Sequence, residues 1–272
     1  MLPFWLSIGT LSLVEAALVA VPRAAIATPL LSRLRSSWWA LALPLPIGLV
    51  VGAIALDSAS ADFLTYLALV AVPPLAALAL AAIVRGGRPP LALLVLPLFA
   101  IAWAWEGDLS GHTAALVLSA LACTSLGWLL VCVVPGRWVK LGIYAMAAID
   151  AYLVFSNLLQ EPNATLNAAA PAAGLPKLQL AHFGDALMGF GDLFVAATLG
   201  ALLAYDRRLQ LTGAALAALI GVSFDFLFFA LDTLPATVPI ALTLAILELR
   251  GRSRARSASR SRRSRRSSRS TS

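Results

Sequence analysis

The stretch MGFGDLF, residues 188–194, places a carboxylate directly behind two glycines, at the head of an apolar run that continues to Tyr205. A charged side chain in the hydrocarbon region of a bilayer costs roughly 2.5–3.5 kcal/mol on insertion scales, so it is seldom kept for packing alone. One apolar run earlier in the chain, Asp150 stands in the middle of a second such segment. Two lone aspartates in consecutive apolar runs favour a functional pair.

The composition predicts a helical membrane protein. Of the 272 residues, 60% are hydrophobic and only 12% are charged, and the mean hydropathy is +0.88. Several apolar runs reach the roughly 20 residues that a helix needs to span a bilayer. The composition argues against a soluble domain, and we expect an all-α, polytopic protein. Its alanine- and arginine-rich usage is typical of a GC-rich genome, which favours a bacterial plasma membrane.

Nine transmembrane helices are expected. The apolar runs are 2–22, 38–56, 62–84, 89–105, 114–134, 141–159, 186–205, 211–231 and 234–249. Basic residues gather in the loops after the odd-numbered runs and acidic residues in the others, so the positive-inside rule places the N-terminus outside and the C-terminus in the cytoplasm. The first run lacks a basic leading region and contains Glu15, which favours an uncleaved helix over a signal peptide.

The predicted helices divide the chain into three parts. Residues 1–140 form a five-helix scaffold, residues 141–249 a four-helix catalytic region, and residues 250–272 a basic tail. The tail holds ten arginines and no acidic residue, a composition that predicts disorder. Its basic residues are attracted to anionic lipid headgroups by about 1 kcal/mol each near the surface. Specific nucleic-acid binding is not expected, because no aromatic residues are interleaved with the arginines.

The other polar features do not indicate a cofactor. Cys123 and Cys132 are nine residues apart in one apolar run, on opposite faces of a helix, so neither a disulfide nor a metal site is expected. His112 and His182 are far apart in sequence and fit no metal-ligand pattern. The long outer loop 160–185 is either a lid over the aspartates or a flexible linker.

The depths of the two aspartates in the membrane are compatible with a pair. Asp150 follows Lys140 by ten residues and Asp192 precedes Asp206 by fourteen, about 15 and 21 Å from the same membrane edge along a helix. Two carboxyls at hydrogen-bonding distance in a low dielectric share one proton. The ionised oxygen can then deprotonate a water while the protonated partner polarises a carbonyl. The residues thus suit metal-independent peptide hydrolysis.

The spacing alone leaves other readings open. A Gly-x-Gly sequence at a helix start also fits close packing of small residues. A lone intramembrane aspartate can serve as a proton relay or a cation ligand in a transporter. Asp225 and Glu15 show that this chain holds other acids in apolar runs.

The sequence GFGD at residues 189–192 resembles the Gly-x-Gly-Asp motif of the intramembrane aspartyl proteases, the family of presenilins and signal peptide peptidases. Asp150 matches the aspartate of the preceding helix in that family, although Ile149 stands where the family usually has tyrosine. The separation of about forty residues between the aspartates is similar to that of signal peptide peptidases. Type IV prepilin peptidases share Gly-x-Gly-Asp but have a different architecture, so they are a weaker match.

A third part of the resemblance lies at residues 234–239. This segment resembles the Pro-Ala-Leu turn that opens the last helix of the family, with Pro235 and Ala236 in place and Thr237 instead of leucine. Nine helices with the N-terminus outside are also similar to signal peptide peptidase and opposite in orientation to presenilin. At the level of motifs the resemblance covers roughly residues 144–245.

The resemblance implies an aspartic endopeptidase that cleaves single transmembrane helices or signal-peptide remnants within the bilayer, without a cofactor. The catalytic residues would be Asp150 and Asp192, which alternate as general base and general acid. The residues that position the substrate would be Gly189, Phe190, Gly191, Pro235 and Ala236. Two alternatives are a proton-coupled transporter or ion pathway, and a homologue that binds membrane helices without cutting them.

Overall fold

The computed structural model is mostly helical and describes residues 4–25, 29–46, 52, 59–169, 171–172, 174–231 and 233–267. The α-helices are α1 Phe4–Ala20, α2 Pro29–Arg33, α3 Ala59–Leu78, α4 Val95–Ala104, α5 Leu109–Val133, α6 Gly136–Phe155, α7 Gln160–Ala168, α8 Phe190–Leu203, α9 Arg207–Asp225 and α10 Thr237–Ser267. Short 3-10 helices are Ser37–Ala42, Pro89–Leu94 and Phe226–Phe229, and a π-helical turn, Ala79–Ile83, ends α3. The strands β1, Leu180–Phe183, and β2, Ala186–Gly189, form an antiparallel hairpin.

Among the described residues, four helical segments are long and apolar enough to cross a membrane. They are Ser60–Ile83, Leu109–Val133, Gly136–Phe155 and Arg207–Phe229. Three shorter apolar helical segments are Phe4–Ala20, Pro89–Ala104 and Phe190–Leu203. These seven coincide with predicted apolar runs, whereas residues 47–51 and 53–56 of the second run, 38–56, lie outside the described residues. The ninth predicted run forms the start of α10.

Local sequence explains where the helices near the aspartates begin and end. Pro135 precedes α6 in an extended conformation, and α6 ends before Asn157, which has a positive φ of 55°. The carboxylate of Asp206 caps α9 by accepting hydrogen bonds from the amides of Arg208 and Leu209, at 3.0 and 3.2 Å. These boundaries fix the registers of α6 and α9 beside α8.

Helix α8 lies at the centre of the fold. It packs against α1, α5, α6, α9 and α10, and most of its side chains are buried. Two glycines allow close approach of the backbones: a Cβ on Gly127 of α5 would lie 2.6 Å from the amide nitrogen of Thr198, and one on Gly200 would lie 2.5 Å from the carbonyl oxygen of Leu18. Small residues at helix contacts are the usual means of close packing in membrane proteins.

A buried glutamine ties several helix ends together. Gln210 is 0% exposed, and its Nε2 donates to the carbonyls of Pro22 at 2.9 Å and Gly200 at 3.1 Å. Its Oε1 accepts hydrogen bonds from the guanidinium groups of Arg85 at 2.9 Å and Arg207 at 2.8 Å. Burial and the neighbouring charge of Arg207 lower the pKa of Arg85. Gln210 thus joins the ends of α1, α3, α8 and α9.

Substituting Gln210→Leu should therefore destabilise the fold by several kcal/mol, because each buried partner left without a hydrogen bond costs about 1–3 kcal/mol. The measurement is the midpoint of thermal unfolding in detergent. Gln160→Leu is the matched control, since Gln160 is exposed and its side chain makes a long hydrogen bond, of 3.3 Å, to Thr233. Equal midpoints for the two variants would contradict the stabilising role of Gln210.

The arginine-rich segment differs from the sequence prediction. Composition predicts disorder for residues 250–272, but α10 continues as a helix to Ser267. Alanine and arginine are good helix formers, and the segment extends a helix that is already nucleated, which removes the cost of starting a new one.

Candidate functional site

Asp150 is a residue of α6, and its side chain contacts the N-terminal end of α10. It is 5% exposed, and its Oδ2 accepts hydrogen bonds from the backbone amide of Thr237 at 3.2 Å and from the hydroxyl of Thr237 at 2.6 Å. The buried Pro235 and the turn at Ala236 lead the chain into α10, so that its first amide points at the carboxylate. The free amides of a helix N-terminus stabilise negative charge. Thr237 and the turn before it thus fix one oxygen of Asp150.

Asp192 lies in the first turn of α8. Its Oδ2 accepts a hydrogen bond from the backbone amide of Gly189 at 3.0 Å. This contact caps α8, since it satisfies an amide that has no partner within the helix. The side chain is partly buried. One oxygen of Asp192 is therefore fixed by the turn that precedes its own helix.

Asp150 and Asp192 lie on two helices that contact each other, α6 and α8. The two carboxylates are close enough that the charge of Asp150 acts on Asp192. Helices α6 and α8 touch at this level, because a Cβ on Gly191 would lie 3.3 Å from Cε of Met146, one turn before Asp150. Within the described part of the chain, each aspartate uses only Oδ2 for hydrogen bonds. The Oδ1 atoms have no hydrogen-bond partner among the described residues.

Gly189 and Phe190, at the start of α8, each make a close contact that fixes the site. A Cβ on Gly189 would lie 3.0 Å from Oδ2 of Asp192, so the absence of a side chain there makes room for the carboxylate. The carbonyl of Phe190 accepts a hydrogen bond from the buried thiol of Cys123 at 3.6 Å. The sequence assigned no role to Cys123, yet this contact anchors the start of α8 to α5.

A β-hairpin leads directly into the site. Strands β1 and β2 pair from Leu180↔Gly189 to Phe183↔Ala186, and the last residue of β2 immediately precedes α8. The hydroxyl of Ser119 donates to the carbonyl of Leu178 at 3.1 Å and holds the hairpin on α5. The segment 160–185, predicted as a lid or a linker, thus contains α7, β1 and the turn of this hairpin.

Two histidines that are distant in sequence meet beside the hairpin. The rings of His112 in α5 and His182 in β1 have centroids 3.8 Å apart. Burial lowers the pKa of His182, although its hydrogen bond with the carbonyl of Gly184, at 3.0 Å, partly opposes this shift. His182 is therefore largely neutral near pH 7, and the pair joins β1 to α5. Among the described residues, no three His, Cys, Asp or Glu side chains are arranged to hold a metal ion.

Two further acids lie on the helices around the pair, Glu15 within electrostatic range of both aspartates and Asp225 within range of Glu15. Asp225 accepts hydrogen bonds from the hydroxyl of Ser12 at both carboxylate oxygens, at 3.0 and 2.9 Å. Glu15, on α1, is only 3% exposed, and the charges of Asp192, Asp225 and Asp150 all act on it. In the sequence, both residues are recognisable only as additional acids in apolar runs.

Comparison with known proteins gives no relative: no protein-family model, no curated protein and no solved structure matches the chain. The structure by itself defines a mostly helical protein whose described part contains four helices of membrane-spanning length. Within this fold, a pair of aspartates from neighbouring helices lies beside a β-hairpin.

Proposed function

We propose that the protein is an intramembrane aspartyl protease similar to signal peptide peptidase. The observation that carries the proposal is that Asp150 on α6 and Asp192 on α8 lie within electrostatic range of each other, with one oxygen of each carboxylate held by fixed donors. The resemblance of residues 189–192 to the Gly-x-Gly-Asp motif supports the same assignment. Asp150 and Asp192 are then the catalytic residues of an aspartic endopeptidase.

The pair would hydrolyse a peptide bond with a single shared proton. The ionised aspartate takes a proton from a water, and the oxygen of that water attacks the carbonyl carbon while the protonated aspartate donates its proton to the carbonyl oxygen. The resulting gem-diol collapses and the C–N bond breaks: the first aspartate passes its proton to the departing amine, and the second aspartate, now ionised, takes a proton from one hydroxyl of the gem-diol as the new carboxyl group forms. One proton remains on the pair, so the next cycle can begin.

The substrates of this activity are single transmembrane helices or signal-peptide remnants, which must unwind to expose a peptide bond. A two-stranded sheet has unpaired backbone groups on its outer edges, and an extended segment can add to such an edge. The exposed Leu187 and Gly189 of β2 lie next to the aspartates along the chain. Gly189, Phe190 and Gly191 would position the segment on this side, and Pro235 and Ala236 on the side of α10.

The proposed placement in the membrane follows from the charge of the loops. We infer nine spans, with the N-terminus outside and the C-terminus in the cytoplasm of a bacterium, as the positive-inside rule predicts. The arginines after residue 249 then lie on the anionic inner leaflet, which attracts basic residues.

The direct test uses purified protein in detergent with a panel of single-span reporter peptides, in water enriched in ¹⁸O. We expect internal cleavage, with one ¹⁸O atom in the new carboxyl group of the N-terminal product after a single turnover. A hydroxyl-containing peptide isostere that mimics the gem-diol should inhibit, because transition-state analogues bind more tightly than substrates. If no peptide in the panel is cut, the protease assignment fails.

The two glycines should differ in their tolerance of a methyl group. Gly189→Ala should lower the cleavage rate strongly, because the added Cβ lies 3.0 Å from Oδ2 of Asp192 and displaces the carboxylate. Gly191→Ala should be milder, since its Cβ meets only the flexible end of Met146, at 3.3 Å. The measurement is the initial rate of cleavage for the two variants side by side. An equal loss, or the reverse order, would contradict this geometry.

A second candidate function is a proton pathway, which the position of Glu15 favours. Its carboxyl lies within electrostatic range of Asp225 on one side and of Asp192 and Asp150 on the other, so that four acids occupy one region. Proton flux into liposomes separates the two candidates. A transporter should lose flux in Asp225→Asn, whereas a protease should show no flux above empty liposomes. A homologue that binds helices without cutting them would retain reporter peptides but release no product.

A further inference from the structure

The most unusual side chain outside the aspartate pair is Glu15. It is 3% exposed in the middle of α1, and its Oε1 has no hydrogen-bond partner in the described part of the chain. Helix α1 packs against both α8 and α9. Since buried polar atoms nearly always have a partner, an unpaired carboxyl oxygen at this position requires an explanation.

The level of Glu15 along α1 places its side chain near Asp192. The two helices run in the same direction, because Ser7 accepts a hydrogen bond from the amide of Asp185 at one end, and Leu18 lies against Gly200 at the other. Glu15 precedes Leu18 by three residues and Asp192 precedes Gly200 by eight. At a rise of 1.5 Å per residue, the Cα of Glu15 therefore lies about 7–8 Å further along the common helix direction than the Cα of Asp192. Helical side chains lean toward the N-terminus of their helix, so the long glutamate side chain leans back toward Asp192.

The surroundings of Glu15 indicate a neutral carboxyl group. The charges that act on it most strongly are those of Asp192, Asp225 and Asp150, and all three residues are acidic. An ionised carboxylate without a donor, surrounded by further negative charge in a low dielectric, would be very costly. A protonated Glu15 avoids this cost and has an O–H group that needs an acceptor.

We propose that Glu15 is a positioning residue of the aspartate pair: its protonated carboxyl donates a hydrogen bond to Asp192 and holds that carboxylate in place between α1 and α6. The hydrogen bond itself does not depend on the proposed function, whereas its expected effect on cleavage rests on that function. Gly189 and Glu15 then hold Asp192 from two sides, as Thr237 holds Asp150 with two donors.

Three variants separate positioning from packing. Glu15→Leu fills a similar volume without a donor, and we expect kcat for reporter cleavage to fall roughly 10- to 100-fold with little change in KM, the loss typical of a misplaced reacting group. Glu15→Gln keeps a donor and should retain most of the activity. Glu106→Gln, at an exposed glutamate, is the matched control and should behave as wild type. Full activity in Glu15→Leu would show that Glu15 only fills space and would overturn the inference.

A measurement that needs no cleavage tests the hydrogen bond itself. Infrared difference spectra at neutral pH should contain the carbonyl stretch of a protonated carboxyl that disappears in Glu15→Gln and remains in Glu106→Gln. In Asp192→Ala this band should move to the higher frequency of a carboxyl without a strong acceptor. A band unchanged in Asp192→Ala, or absent from wild type, would overturn the inference. If the band shifts as expected but the wild type cleaves no peptide, the hydrogen bond is established and the protease assignment is overturned.

Discussion

Replacing either Asp150 or Asp192 with asparagine should abolish cleavage of single-span reporter peptides. Asparagine has nearly the size of aspartate and retains an oxygen that can accept from Thr237 or Gly189, so the fold should survive. It cannot carry the shared proton, and the loss of general acid–base catalysis costs typically about 10²- to 10⁴-fold for one group. Initial rates in detergent should therefore fall below detection in each variant, with thermal unfolding close to that of wild type.

The matched control for this experiment is Asp225→Asn. Asp225 is another acid in an apolar helix, and its carboxylate is bound by Ser12 rather than by the residues around the pair. Cleavage should persist in this variant. If cleavage instead survives in Asp150→Asn or Asp192→Asn, the assignment of the two catalytic residues is wrong. Loss of cleavage in Asp225→Asn would show that the acid bound by Ser12 is also needed for cleavage and that the pair alone does not account for it.

The placement of the two aspartates on neighbouring helices could be predicted from sequence, because it depends on hydropathy and on helix geometry. Hydropathy defines the helices, the rise per residue gives the depth of each carboxylate, and consecutive membrane helices are usually neighbours. Asp150 and Asp192 lie on the contacting helices α6 and α8, within electrostatic range of each other. The close contact at Gly191 likewise follows from the preference for small residues where two helices touch.

The partners of these aspartates could not be predicted in the same way, because they depend on tertiary contacts. Thr237 was noted only as a departure from a leucine, yet it lies 87 positions from Asp150 in sequence and donates two hydrogen bonds to it. Cys123 and Glu15 lie in apolar runs without any local pattern that distinguishes a contact residue from a packed one. The hairpin was missed because strands of four residues carry too little periodicity to separate them from a loop.

Removing the hydroxyl of Thr237 should lower the rate of cleavage, because this hydroxyl donates a short hydrogen bond to Asp150. Thr237→Val keeps the shape of the side chain and the backbone amide but removes the 2.6 Å hydrogen bond to Oδ2. A hydrogen bond to a charged group contributes about 1.5–3 kcal/mol, so the rate should fall roughly 10- to 100-fold. Initial rates of reporter cleavage measure this loss, and Thr237→Ser, which retains a hydroxyl, should restore most of the activity.

A second buried threonine on α10, Thr243, provides a control that distinguishes the loss of the hydrogen bond to Asp150 from the loss of any buried hydroxyl on this helix. Thr243 is also 0% exposed, but its Oγ1 donates at 2.9 Å to the carbonyl of Pro239 within its own helix. Thr243→Val should therefore leave cleavage nearly unchanged while testing the same substitution in the same helix. Equal losses in the two valine variants would mean that α10 acts only through its stability. A loss confined to Thr237→Val, with serine active, would show that the hydroxyl positions Asp150, so that the threonine in place of the family's leucine contributes directly to the site.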